Sequence, residues 1–450
     1  MTYDPDNKSL LVRGGQLLTP SGLESTDVLI SNGLVSKIAP NQTASSGCAT
    51  LDASGQLVFP GPIDPQVHFR EPGGEEKEDL ASGSAAAIAG GVTAFCEMPN
   101  TNPATTNPAA LEDKFARARG RSRADYAFFL GASPENADQL GEWERVPGCA
   151  GVKVFMGSST GDLLVEDDAT LERVLRSGTR RVTVHSEDNP RLSERYAALT
   201  RQHPAGAAVA LHPDVRDVEC AVRSTKRLLT LAEKTGRPVH LLHVSTAEEL
   251  DLVRDRDLGD LVTVEATPNH LFLTAPECYT EFGTWAQMNP PVRDARHQDA
   301  LRRALVKGPV TCIGSDHAPH TAEEKARSFP NSPSGIPGVQ TTLALLLTAV
   351  RDGWLQYEDI LRLCVTGPVK VYGIENRGPL APGLEGNLIL VNPDFAGPLR
   401  ADWLLSRSPC NPFIGRELAG LPTTAVLRGQ VVMRAGIPVG PARGEPLSFA

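Results

Sequence analysis

The stretch "DPQVHFREPG" (residues 64–73) contains the end of a short strand-like run, where a histidine and an arginine stand at positions 68 and 70. Seven similar runs follow it, and segments with helical periodicity lie between many of them. The eight runs are "IDPQVHFR" (63–70), "GVTAFCEM" (91–98), "DYAFFLGA" (125–132), "GVKVFMG" (151–157), "RVTVHSE" (181–187), "PVHLLHV" (238–244), "LVTVEAT" (261–267) and "VTCIGSD" (310–316). Eight strands that alternate with helices predict an α/β fold, a TIM-like (β/α)₈ barrel.

Both ends of the chain have a different pattern, in which short strand-like runs are separated by glycine, asparagine and proline. Examples are "SLLVRGGQLLTPSG" (9–22) near the start and "TTAVLRGQVVMRAG" (423–436) near the end. We therefore predict that residues 1–58 and 376–450 form one composite, small, β-sandwich-like domain. Residues 59–375 would form the barrel.

The composition of the 450 residues is ordinary for a globular protein, with 40% hydrophobic and 22% charged residues. The net charge of −10 gives no electrostatic reason to expect nucleic acid or an anionic membrane as a partner. No apolar run approaches the roughly 20 residues that span a bilayer, and the first residues do not resemble a signal peptide. These features predict a cytoplasmic protein, and its eight cysteines, none in a Cys-x-x-Cys pair, predict buried thiols.

Residues with metal-binding chemistry occur at or near the ends of several predicted strands. In such barrels the active site lies at the carboxyl ends of the strands, and imidazole and carboxylate are ligands that zinc prefers. A single histidine there is more often an ordinary polar residue, but several at successive strand ends predict a metal site. The candidates are His68, Lys153, His185, His243 and Asp316.

Lys153 lies inside an apolar strand, where burial would lower the pKa of its amine. A neutral amine can react with carbon dioxide to give a carbamate, which is a carboxylate on a long side chain. The sequence leaves two other interpretations open, a lysine that points into water and a buried ion pair.

The chain resembles the dihydroorotases of the amidohydrolase superfamily over nearly its whole length. "HFREPG" (68–73) is similar to dihydroorotases in particular, since the related allantoinases and hydantoinases usually lack its arginine. The motifs that carry the resemblance are "DPQVHFREPG" (64–73), "EMPNTNP" (97–103), "GVKVFMGSSTGDLLV" (151–165), "VHSED" (184–188), "HLLHVST" (240–246), "EATPNHLFLT" (265–274), "MNPPVR" (288–293), "GSDHAPH" (314–320) and "GNLILVNPD" (386–394).

This resemblance implies a reversible step of pyrimidine biosynthesis, in which N-carbamoyl-L-aspartate loses water and closes to L-dihydroorotate. The cofactor would be Zn²⁺, one or two ions per chain, which lowers the pKa of water. His68 and Asp316 would bind the first ion, His185 and His243 the second, and the N6-carboxylated Lys153 would bridge them. Asp316 would also be the catalytic residue that transfers the proton.

The resemblance also implies a set of residues that bind the substrate. Arg70, Asn100 and His320 resemble the group that holds the substrate carboxylate, a task for which the planar guanidinium of arginine is suited. Asn289 and the backbone near Ser334 and Gly335 match positions that contact the pyrimidine ring. Residues 316–338, rich in glycine, proline and serine, would form a loop beside the site.

Position 66 departs from the family pattern, because dihydroorotases generally have His-x-His where this chain has Gln66-Val67-His68. A neutral amide oxygen is a weaker zinc ligand than imidazole. Three hypotheses follow: a site for two metals with Gln66 as a weak or absent ligand, a site for one metal, or an inactive relative that acts as a scaffold for aspartate transcarbamoylase. Another cyclic amidase, an allantoinase or hydantoinase, is a further alternative. A homodimer would be usual for such a barrel.

Overall fold

The N-terminal part of the chain forms seven short strands. The structure is a computed structural model and describes residues 9–158, 163–204 and 206–450. Residues 1–8 of the predicted small domain and 159–162 of the motif 151–165 lie outside the described residues. The strands are β1 (Ser9–Arg13), β2 (Gln16–Thr19), β3 (Gly22–Ser25), β4 (Asp27–Ser31), β5 (Leu34–Ala39), β6 (Ala49–Asp52) and β7 (Leu57–Pro60).

The eight apolar runs form the eight strands of one parallel sheet, as predicted. The strands are β8 (Ile63–Val67), β9 (Ala94–Glu97), β10 (Asp125–Gly131), β11 (Cys149–Phe155), β12 (Val182–His185), β13 (Val239–Leu241), β14 (Val262–Ala266) and β15 (Val310–Ile313). They pair in chain order from β8 to β15. Beyond the ends of β8 and β15 the backbone of His68 donates to the carbonyl of His317 at 2.7 Å, which closes the barrel. The predicted (β/α)₈ barrel is confirmed.

Four further strands follow the barrel, and they join a sheet begun by the N-terminal strands. They are β16 (Leu388–Pro398), β17 (Glu417–Leu427), β18 (Gln430–Arg434) and β19 (Ile437–Pro438). In the seven-stranded sheet β7 lies between β2, from the same end of the chain, and β16, from the other end. Strands β5, β4, β1 and β6 form a separate four-stranded sheet. The expected β-sheet unit built from both ends is thus present, whereas its boundaries at 58/59 and 375/376 stay a prediction.

Helices cover the outside of the barrel and fill the connections between its strands. They are α1 (Leu80–Ala89), α2 (Pro108–Ala118), α3 (Leu140–Trp143), α4 (Asp168–Arg176), α5 (Asn189–Gln202), α6 (His212–Val215), α7 (Val218–Thr235), α8 (Ala247–Arg256), α9 (Pro268–Phe272), α10 (Glu277–Phe282), α11 (Ala295–Lys307), α12 (Ala322–Lys325), α13 (Thr342–Arg351), α14 (Tyr357–Leu361) and α15 (Gly367–Tyr372). Within the described residues, no helix combines the length and apolarity that a membrane crossing requires.

Helix α7 shows how the sequence determines where a helix begins, where it ends and which face it buries. Asp217 caps its N-terminus by accepting a hydrogen bond from the backbone of Cys220, a contact worth about 1 kcal/mol. Gly236 ends it in the left-handed conformation, at φ 68°. Leu228 and Leu231, on one helical face, are buried against the barrel core. Such helices hold the strands in place, so the ends of the strands form a rigid rim for side chains.

Candidate metal and substrate site

The five predicted metal ligands come from five strands and converge at the carboxyl end of the barrel. His185 is the last residue of β12, Lys153 lies within β11, and His68 and His243 follow β8 and β13 closely. All are buried, and Asp316, which follows β15, is buried beside them. They line one cavity together with Gln66, Arg70, Asn100, Phe155, Asn289, Ala318, Ser334 and Gly335.

Three residues of this cavity have backbone conformations that L-amino acids rarely adopt. The φ angles are 66° at Arg70, 34° at His243 and 48° at Asp316. Such conformations cost of order 1–3 kcal/mol each and cluster at functional sites, where the surrounding structure holds them. The backbone after three strands is therefore turned so that these side chains face the cavity.

His185 and His243 form a pair suited to one cation. Nδ1 of His185 lies 3.1 Å from Nε2 of His243. Two nitrogens that ligate the same tetrahedral zinc ion lie about 3.3 Å apart, given zinc–nitrogen distances of about 2.0–2.1 Å. Burial lowers the pKa of both imidazoles, so both are neutral and able to ligate at pH 7.

Glu187 and Arg216 orient His185 from behind. Oε2 of Glu187 lies 3.1 Å from Nε2 of His185, although the angle is poor for a hydrogen bond. Glu187 is fully buried and pairs with Arg216. Burial alone would raise the pKa of Glu187, but Arg216, His185 and Arg293 together outweigh it and lower that pKa to about 2. The fixed carboxylate favours a proton on Nε2, which leaves the lone pair of Nδ1 directed at His243.

His68 and Asp316 form the second group of candidate ligands. Nε2 of His68 lies 3.2 Å from Oδ1 of Asp316, and Nδ1 of His68 donates to Oδ1 of Asn100 at 2.7 Å. That bond fixes the tautomer of His68 so that the lone pair of Nε2 faces Asp316. Asn100, predicted as a substrate residue, thus also orients a candidate metal ligand.

Gln66 occupies the place of the missing histidine and also faces Asp316. Its amide Nε2 donates to Oδ1 of Asp316 at 3.0 Å, while its Oε1 is buried and has no hydrogen-bond partner within the described structure. Gln66 therefore contributes a donor to the carboxylate and one unsatisfied acceptor to the cavity.

Lys153 lies among all of these groups with its amine buried. Its Nζ lies 4.4 Å from the centre of the Phe155 ring. Burial lowers the pKa of the amine to about 7, and the charges of Asp316 and Glu265 offset only part of that shift. Of the three interpretations of Lys153, exposure to water is wrong, because its side chain is almost fully buried. An amine that is partly neutral at pH 7 fits carbamate formation.

The predicted substrate residues lie beside this group. Arg70 is buried, and its guanidinium donates to the carbonyl of Pro319 and to Nε2 of His320 at 3.3 Å. Within the described residues no carboxylate pairs with it. Oδ1 of Asn289 is buried without a hydrogen-bond partner, and at Gly335 a Cβ atom would lie 2.2 Å from the carbonyl of Ala318. Of the predicted site residues, His320 alone does not line the cavity, and it reaches the site through Arg70.

Three buried charged residues that support the site, Glu187, Glu265 and Lys325, were not predicted from the sequence. Glu187 was visible in "VHSED", yet nothing in the sequence pairs it with Arg216, 29 positions later. Glu265 accepts a hydrogen bond from the backbone of His243 at 3.3 Å. Lys325, in "AEEK", reads as a residue on a solvated helix but is fully buried.

His240 illustrates why alternation along a strand failed as a guide. Strict alternation along β13 would direct it away from the site, because it precedes His243 by three positions. Instead it faces the barrel interior, where Nδ1 lies 2.8 Å from Oγ1 of Thr263 and Nε2 lies 3.7 Å from Oε2 of Glu265. His243 lies beyond the end of β13, so the strand's alternation does not extend to it.

Comparison with known proteins identifies the family to which the chain belongs. Residues 57–432 match the model of the amidohydrolase family. The dihydroorotase of Methanosarcina acetivorans is 32% identical over 447 residues, covering 96% of this chain and 94% of that protein. The dihydroorotase of Halobacterium salinarum is 35% identical over 393 residues, covering 87% and 90%.

A solved structure with the same fold is that of the L-hydantoinase (dihydropyrimidinase) from Arthrobacter aurescens. Its TM-score is 0.91 at 25% identity, with 99% of this chain and 100% of that chain covered. The resemblance inferred from the motifs is thereby confirmed. The chain belongs to the amidohydrolase family, among its hydrolases of cyclic amides.

Proposed function

We propose that this protein is a dihydroorotase, which interconverts N-carbamoyl-L-aspartate and L-dihydroorotate with loss or gain of water. The observation that carries the proposal is the buried guanidinium of Arg70 at the cavity. It has no carboxylate partner within the described residues, and L-dihydroorotate carries a ring carboxylate that would provide one. Dihydroorotases are also among the relatives at 32–35% identity.

The donor set fits zinc. Nδ1 of His185 and Nε2 of His243 form one close pair, while Nε2 of His68 and Oδ1 of Asp316 form a second pair. Lys153, as its carbamate, would supply a carboxylate between the pairs. We propose these five residues as the ligands of one or two ions, which when bound would polarise the amide carbonyl and lower the pKa of water.

The chain's own residues perform the remaining steps. Arg70 binds the substrate carboxylate, with His320 fixed beside it by a contact of 3.2 Å between Nδ1 and Oε2 of Glu324. Oδ1 of Asn289 accepts a ring N–H. Asp316 accepts the proton of the attacking water and passes it to the leaving amide nitrogen.

The test is turnover of L-dihydroorotate and of N-carbamoyl-L-aspartate by the purified protein, with zinc and bicarbonate supplied and a chelated sample as control. We expect turnover in both directions that is lost on chelation. Hydantoin and dihydrouracil, assayed alongside, should be poor substrates because neither carries the carboxylate. Turnover of these rings in preference to dihydroorotate would favour a hydantoinase, the function named for the solved relative of TM-score 0.91.

An inactive scaffold is the remaining alternative. It predicts no turnover and a stable complex with aspartate transcarbamoylase on size-exclusion chromatography. All the predicted ligands meet at one cavity, which supports an enzyme. A cytoplasmic location, a homodimer and an association with aspartate transcarbamoylase stay predictions, and the same column run tests the last two.

A further inference from the structure

Lys325 is the last residue of α12, and its side chain is fully buried. Its ammonium donates three hydrogen bonds to main-chain carbonyls: to Gln287 at 3.1 Å, to Pro333 at 3.1 Å and to Gly335 at 2.9 Å. An ammonium has three N–H donors, so these carbonyls use all of them.

This arrangement is costly for the fold. Burial lowers the pKa of Lys325 to about 7, and within the described residues no carboxylate forms an ion pair with it. A buried charge is tolerated only when its donors are satisfied, and an apolar residue of similar size would avoid the desolvation. Lys325 thus provides a contact that an apolar side chain could not.

The carbonyls that Lys325 joins belong to two separate segments beside the cavity. Gln287 precedes Asn289 by two positions, and Pro333 and Gly335 flank Ser334. The same segments are joined directly, because the backbone of Gly335 donates to the carbonyl of Gln287 at 2.8 Å. The Gln287 side chain also donates to Oγ of Ser334 at 3.1 Å.

We propose that Lys325 is a positioning residue, which holds segments 287–289 and 333–335 together. It thereby sets the distance between these two segments on the side of the cavity that faces the substrate ring. The inference rests on the proposed function only in assigning these segments to the ring. Within the described residues, no hydrogen bond or ion pair joins Lys325 to a predicted metal ligand, so its effect should fall on substrate affinity and not on metal content.

The experiment compares the metal-loaded wild-type protein with Lys325→Met, which removes all three donors, and with Lys325→Gln, which keeps an N–H₂ group without charge. Leu228→Ala, in the core face of α7, is the control for lost stability, since Leu228 is buried in the core and α7 packs against α4 and α8. Amide hydrogen exchange is measured on peptides that contain residues 283–292 and 326–338. Steady-state kinetics with L-dihydroorotate and zinc content are measured on the same preparations.

We expect both Lys325 variants to accelerate exchange in these two peptides. KM for L-dihydroorotate should rise about tenfold or more in Lys325→Met, with less change in kcat and the same zinc content. Leu228→Ala should leave KM and both peptides unchanged. If Lys325→Met does not fold, Lys325→Gln tests the inference by the same two measurements, and the expected rise in its KM is smaller than the rise expected for Lys325→Met.

Wild-type exchange and wild-type KM in the folded Lys325 variants would overturn the inference. Failure of the proposed function is a different result, because it would appear as no turnover by the wild-type protein itself. In that case the exchange measurement still decides, since faster exchange confined to the two peptides supports the positioning role and unchanged exchange refutes it.

Discussion

Replacing Gln66 by histidine tests how the first cation site works in this chain. The amide of Gln66 donates to Oδ1 of Asp316, one of the candidate ligand atoms. A cation that binds this oxygen must compete with that hydrogen bond. Gln66→His removes the competing donor and supplies an imidazole in its place, so we expect the first site to bind zinc more tightly.

The strength of the hydrogen bond from Gln66 to Asp316 sets the expected change in zinc affinity. A hydrogen bond to a charged group contributes about 1.5–3 kcal/mol, and each 1.4 kcal/mol is a factor of about ten in affinity. The dissociation constant of the first zinc ion should therefore fall by about tenfold to about 150-fold. An imidazole that ligates would add to this, so the range is a lower bound.

The assay is zinc retention during dialysis against a graded series of chelator concentrations, measured by elemental analysis. Gln66→Met is the matched control, because it removes the donor and adds no imidazole. We expect zinc retention to rise from the wild-type protein through Gln66→Met to Gln66→His. Equal retention in all three proteins would refute the reasoning and show that position 66 does not affect metal binding.

Three further predictions concern other parts of the site. Arg70→Lys keeps the charge but loses the planar fork, so KM for L-dihydroorotate should rise at least about tenfold; an unchanged KM would remove Arg70 from the carboxylate site. With ¹³C-bicarbonate, Lys153 should give a carbamate signal by NMR at pH 8 that weakens at pH 6, since its pKa of about 7 leaves the amine protonated at the lower pH; the same signal in Lys153→Met would place the carbamate elsewhere. Arg216→Met leaves Glu187 buried and unpaired, which should cost about 3–5 kcal/mol of unfolding free energy by denaturant titration at pH 7. In the wild-type protein the stabilisation from Glu187 is present above its ordinary pKa and is lost as pH falls through about 2, so lowering pH should narrow the difference between the two proteins; a difference that widens in acid would contradict the pairing.

The barrel could be predicted from the sequence because parallel strands covered on both sides are continuous apolar runs. Strand β10 is an example, since every residue from Asp125 to Gly131 is buried. The ends of such runs also locate the site, which is why His68, His185 and Asp316 could be selected without a structure.

The residues that support the site could not be predicted in the same way. Arg216 and Lys325 lie in polar segments, where charged side chains usually face water. Their burial results from contacts across 29 positions to Glu187 and across 38 to Gln287. Neither periodicity nor composition indicates which distant partner a charge will find, so only the folded structure shows these pairs.

The pairing of β7 with β16 has a consequence for the order in which the chain acquires structure during synthesis. Leu57 and Val58 pair with Val391 and Leu390, so some 330 residues must be made before this edge of β7 is covered. Until then an apolar strand has one open edge, which is a template for pairing with other chains. The N-terminal strands thus emerge from the ribosome long before their last partner has been synthesised. A nascent chain arrested within the barrel would expose the edge of β7 that is covered by β16 in the complete fold.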